Sequence, residues 1–133
     1  MAYGNYLLKV GTYEVPLRYI KTETYNVLHS TTDLDSYRDA NGVLHRNALA
    51  HKVNKVEFST PPMFASDFNV LMSNISSQYT NTTEKKCSVS CYIPEIDSYE
   101  TSNMYVPDIT VSILENNPKG FIYDSVRIAF IGY

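Results

Sequence analysis

The chain has 133 residues, 44% hydrophobic and 19% charged, the balance of one folded domain with a real core rather than a disordered segment. A net charge of −3 supplies no basic footprint for nucleic acid. No stretch approaches the roughly 20 apolar residues that span a bilayer, and Met1 to Lys9 lacks the basic region and apolar run of a signal peptide, so neither a membrane nor an export role is expected.

In chain order, Tyr6 to Val10 and Tyr13 to Ile20 form a first predicted hairpin around Gly11, with Pro16 marking an edge strand or a bulge. Thr22 to Leu28 continues as extended chain. Ser30 to Asp35 is polar, and Tyr37 to His45 then carries a hairpin signature in which Asn41-Gly42 predicts a type I′ turn. The residues around that turn are mostly polar, so this hairpin is expected to project from the body, either as a solvated loop or as an arm that reaches a neighbouring subunit. Asn47 to His51 is transitional.

Lys52 to Tyr79 holds a short strand, with Val53, Val56 and Phe58 as its apolar residues, followed by the one convincing helix. Ser59-Thr60-Pro61-Pro62 stops sheet pairing because proline has no amide proton to give. Phe64, Phe68, Leu71, Met72 and Ile75 then recur at helical spacing. Two starts fit this helix: Thr60 as cap with Pro61 at the first position, or Ser66 as cap with Asp67 just inside. A single apolar helical stripe among strands must lie across a sheet.

Ser76 to Lys86 is a polar loop. Cys87, Val89, Cys91 and Ile93 occupy one face of the next strand, which Pro94 ends. Four residues apart on extended chain, the two cysteine Cα atoms sit about 13 Å apart, whereas a disulfide needs less than about 7 Å. The pair is therefore expected to be reduced and to serve as small core hydrophobes. Glu95 to Asn103 is an acidic connection leading into Met104 to Asp108, and Ile109, Val111 and Ile113 alternate in a predicted strand. Asn116 to Gly120 is a turn. The last predicted strand, Phe121 to Tyr133, places Ile122, Val126, Ile128 and Phe130 on one face.

Catalytic patterns are missing from the sequence. His29, His45 and His51 are scattered without ligand spacing, and Asp33-Leu34-Asp35 begins like a calcium loop but continues with Tyr37 and Arg38 where a ligand and a turn glycine belong. No phosphate-binding glycine loop and no nucleophile elbow is present. The expectation is therefore a non-enzymatic, structural or binding protein without cofactor or metal. Twelve tyrosines, five phenylalanines and no tryptophan fit strand propensity, and the excess of tyrosine adds support for packing against other copies.

The order of elements resembles a known group. It runs from the N-terminal hairpin through Tyr37-Arg38-Asp39-Ala40-Asn41-Gly42-Val43-Leu44-His45-Arg46 and the Lys55-Val56-Glu57-Phe58 strand. The Phe64 to Leu71 helix, the Met104 to Asp108 strand entry and a final Val126 to Phe130 strand follow. This resembles the small tail proteins of bacteriophages and prophages, the distal-tail and tail-tube-like family. The resemblance implies a mainly β fold, a β-sandwich or split barrel with one α-helix across it and a projecting β-hairpin. It implies assembly as a homo-oligomeric ring, six-fold in this family, in the tail tube or at the junction of tube and baseplate. The partners would be further copies of the chain and other tail proteins, with genomic DNA passing the lumen without specific binding, and the protein would be synthesised in the host bacterial cytoplasm and reside in the virion tail. The inter-subunit arm would comprise Tyr37, Arg38, Asp39, Asn41, Gly42, Leu44, His45 and Arg46. A head–tail connector or tail terminator, and a carbohydrate-binding or adhesion module, are the alternative readings; a metal-dependent enzyme ranks last.

Overall fold

Alternation drives the architecture. In the strand Lys86–Ile93, Cys87, Val89, Cys91 and Ile93 are fully buried and the residues between them are not, the two-sided pattern of a sheet with one packed face. The computed structural model describes residues 4–133, apart from the side chains of residues 31, 32, 51 and 52; the sequence reading of Met1 to Tyr3 and of the His51 side chain falls outside it. The strands are β1 Leu8–Val10, β2 Tyr13–Glu14, β3 Asn26–Asp33, β4 Tyr37–Arg38, β5 Leu44–His45, β6 Ala48–Ser59, β7 Met63–Phe64, β8 Lys86–Ile93, β9 Ser98–Tyr105, β10 Ile113–Asn117, β11 Gly120–Tyr123 and β12 Arg127–Gly132. One helix, α1 Ala65–Ser76, lies among them. A seven-stranded sheet runs β2-β1-β8-β9-β12-β6-β3, a three-stranded sheet β10-β11-β7, and β4-β5 form a separate ribbon. All these pairings are antiparallel.

The mainly β class with one packed helix is as expected, and the sheets are sandwich-like without closing into a barrel. The large sheet nevertheless curls. Tyr25, just ahead of the edge strand β3, donates its hydroxyl to the carbonyls of Leu7 (3.1 Å) and Tyr92 (2.7 Å) beside the other edge. The Leu7 carbonyl also accepts the Tyr92 amide at 2.9 Å, so the Tyr25 hydroxyl ties into the β1–β8 end of the sheet. Inside the curl, Leu8, Val10, Val56, Phe58, Ile128, Phe130 and Met104 form the core. Phe68, Leu71 and Ile75 of α1 close one end, and Phe68 meets Tyr123 of the small sheet edge-on at 5.5 Å. Burial pushes the thiols of Cys87 and Cys91 up to about 11, and both are free, as expected of core cysteines.

Several boundaries differ from the sequence reading, each for a physical reason. The second strand stops at Glu14, and Pro16 leads into a 3-10 turn at Leu17–Tyr19. The expectation of an edge holds, since β2 borders the large sheet. Thr22–Thr24 is a second 3-10 turn rather than extended chain. The stretch taken as transitional, Asn47 to His51, mostly belongs to β6, which begins at Ala48 and pairs with β3 from Asp33 onward.

Neither predicted helix cap is used: α1 starts at Ala65, with Phe64 at the cap position and no side-chain cap bond. Thr60 is instead fully buried. Its amide donates to the Val126 carbonyl at 2.9 Å and its hydroxyl accepts the Val126 amide at 3.1 Å, locking the end of β6 to the chain entering β12. Phe64 leaves the helical stripe to pair within the small sheet. Glu95 to Asn103 is no long connection: residues 94–97 make a tight turn with Asp97 at φ 46°, and β9 starts at Ser98. The strand expected through Ile109, Val111 and Ile113 begins only at Ile113. The predicted final strand breaks at residues 124–126, so β11 and β12 serve different sheets.

Candidate assembly interface

The hairpin singled out in the sequence stands away from the core. No residue from 33 to 50 is buried. The base of this arm continues the β3–β6 pairing past a bulge: Asp33 faces Ala48, and the Leu34 amide donates to the Asn47 carbonyl at 2.9 Å. Arg46 grips the Asp33 carboxylate with two nitrogens at 2.8 and 3.0 Å, the forked geometry that makes such a pair directional. The Asn47 amide donates to the Ser36 hydroxyl, closing the neck.

Above the neck, Tyr37 pairs with His45 and Arg38 with Leu44. The rings of Tyr37 and His45 stack at 4.9 Å, within 10° of parallel. The tip is not the expected type I′ turn. Only Gly42 has positive φ, at 80°, and Asn41 does not. The Gly42 amide donates to the Asp39 carbonyl and the Asp39 amide to the Val43 carbonyl, which is a three-residue loop with its glycine in the left-handed position. Asp39 decides this. Its carboxylate accepts the amides of Asn41 (2.9 Å) and Val43 (3.0 Å), and its second oxygen meets His45 Nε2 at 2.9 Å. Arg38 adds a bond to the Gly42 carbonyl.

These bonds, the contact with His45 first, hold the Asp39 carboxyl below its ordinary value of 3.8. A depressed carboxylate stabilises the folded arm above its unfolded value and stops doing so as pH falls through the folded one. The arm is therefore expected to stay ordered from neutral pH down to about 3.8 and to loosen below it. The Asn41 and Val43 amide signals, followed by NMR against pH, should report this, and Asp39→Asn should flatten the response.

Polar as its sequence is, the arm exposes apolar side chains: Leu34, Val43, Leu44 and Leu49, together with Tyr37 at 60%. The structure thus brings all eight predicted arm residues into one element and adds Leu34, Val43 and Leu49, which sequence reasoning passed over. Their signal was their spacing within an otherwise polar stretch, which does not by itself separate an exposed leucine from a buried one.

A second apolar surface was not anticipated. Between α1 and residues 106–111 lies a groove of about 350 Å³, walled by Phe68, Met72, Tyr79, Val106, Ile109 and Val111. Lys85 and Asp108 stand in it, and the Val106 amide donates to the Lys85 carbonyl at 3.2 Å. Beside the groove, the β10–β11 hairpin exposes Ile113, Leu114 and Phe121.

The remaining polar group of note lies on the inner face of the large sheet, away from α1. The His29 ring sits between Glu95 (3.9 Å) and Glu100 (3.5 Å), and Asn54, 3% exposed, donates to Glu100 at 3.5 Å. The two carboxylates address opposite ring nitrogens, so they do not converge on one point where an ion could sit. No group of three or more potential metal ligands occurs among the described residues. Asp33, the start of the supposed calcium loop, is committed to Arg46. No helix among the described residues is long and apolar enough to cross a membrane.

No curated protein and no solved structure matches the chain. A family model matches residues 1–133, and the chain therefore belongs to the family of unknown function DUF6711.

Proposed function

We propose that this protein is a structural subunit of a phage tail, forming a homo-oligomeric, six-fold ring in the tail tube or where the tube meets the baseplate. The observation that carries the reading is the arm: eighteen residues, 33 to 50, without one buried side chain, yet with leucines, a valine and a tyrosine held out on a well-bonded hairpin. An exposed apolar hairpin gains nothing from its own core, and a partner that covers it supplies the missing burial. The edge strand β3 supports the same reading. It runs eight residues without lysine or proline to guard it, and a ring gives such an edge a neighbour.

The order of elements resembles the distal-tail and tail-tube-like proteins, in which such an arm reaches the next subunit. The partners are then other copies of the chain and the adjoining tail proteins. A net charge of −3 suits a channel that lets DNA slide without sticking. The test is the mass of the purified chain by light scattering over a wide concentration range. A mass equal to a closed ring of subunits is expected. A strict monomer throughout, with no assembly on added tail proteins, overturns the proposal.

A further inference from the structure

We infer that the groove between α1 and residues 106–111 is the acceptor for the arm of a second copy of this chain, so that the ring closes head to tail. The inference rests on the assembly reading above and adds the site on the receiving subunit. Among the described residues the arm is a projecting apolar element and the groove a concave apolar surface, and both are open within the same molecule, so the arm does not fill its own groove. A convex patch that matches a concave one elsewhere on the same molecule makes a heterologous contact, which closes into a ring when the rotation permits.

The arm and the groove also match in charge. Arg38 and Leu44 are cross-strand partners and so share one face of the ribbon, a cation beside an apolar side chain. The groove offers Asp108 next to Ile109 and Val111, an anion beside apolar walls. Leu44 entering the groove brings Arg38 toward Asp108. The volume suits a few inserted side chains: at about 350 Å³ it lies at the bottom of the range for small-molecule sites. The exposed Ile113 and Leu114 extend the apolar surface beyond the groove, as a docked hairpin requires and a small ligand does not.

Complementation tests this. Leu44→Asp on the arm and Val111→Asp in the groove alter side chains that are 44% and 40% exposed, so both variants are expected to fold, which their melting curves will check. Each alone is expected to stop assembly, weakening the contact about 30-fold or more if these positions are hot spots. Mixed, the two variants still hold one intact groove and one intact arm, and native mass spectrometry should show a one-to-one dimer and nothing larger. A charge swap supplies the second readout: Asp108→Arg weakens assembly and Arg38→Asp added to the same chain restores it.

Val111→Asp assembling like the wild type, or a mixture that gives no dimer, overturns the acceptor site while leaving the ring reading in place. A wild-type chain that never assembles overturns both.

Discussion

A chain lacking residues 37 to 46 folds with its melting midpoint within a few degrees of the wild type and no longer forms rings. The two halves of this expected result have separate causes. Stability is nearly unchanged because the deleted segment buries nothing, and its bonds to the rest of the chain are confined to the neck, where Arg46 holds Asp33. Single surface substitutions shift stability by about 0.5 kcal/mol or less, and the deletion removes only side chains of that exposed kind. The neck also makes the deletion feasible: Leu34 bonds to Asn47, and the Asn47 amide reaches the Ser36 hydroxyl at 3.1 Å, so a short glycine–asparagine link joins 36 to 47 without disturbing β3 or β6. Assembly is lost because Tyr37, Val43 and Leu44, the largest exposed apolar side chains of the segment, leave with it. Thermal melts and light scattering on the same sample read the two effects. Rings that persist refute the arm, and a collapse of the melting temperature shows the hairpin to be part of the core.

The sequence was most legible where one element met one environment. The alternation of β8 and the Phe68, Leu71, Ile75 stripe of α1 needed no knowledge of distant residues, and both are buried as their periods require. Legibility failed where a remote partner decides. Strand β9 is polar along most of its length because Ser98, Glu100 and Ser102 face the inner side of the sheet where His29 and Asn54 also lie, so no apolar alternation marks it. Thr60 looked like a cap since Pro61 follows it, but its partner is Val126, 66 positions away. The break after Tyr123 moves the chain from one sheet to the other, and a run of apolar residues on both sides conceals it.

The arm was legible as a hairpin and misread at its tip. Asn-Gly favours two left-handed residues, yet the Asp39 carboxylate accepts the Asn41 amide and keeps Asn41 out of that region. The groove had no signature at all: its walls come from α1, Tyr79 and residues 106–111, segments well apart in sequence that meet only in the folded chain.

Phe130→Ala is expected to cost about 3–5 kcal/mol, among the largest effects of any single truncation of a described residue. Phe130 is fully buried in β12, directly opposite Val56 of β6, and is one of the two largest fully buried side chains, with Phe58. Its strand lies between β9 and β6, so the surrounding backbone is tied on both sides and has little freedom to collapse into the space left behind. Single domains hold only about 5–15 kcal/mol in all, so the variant keeps a fraction of its stability and is best measured by urea unfolding at low temperature. The midpoint should fall while the slope stays constant, the sign of a cavity in an otherwise native fold. Phe130→Leu, which returns most of the volume, should recover more than half of the loss. An unchanged midpoint for Phe130→Ala would mean that the curled sheet is not built around this ring. Assembly supplies an internal control, because neither the arm nor the groove is lined by Phe130. At temperatures where the variant is folded it should still form rings, which separates the body that carries the interface from the surfaces that make it.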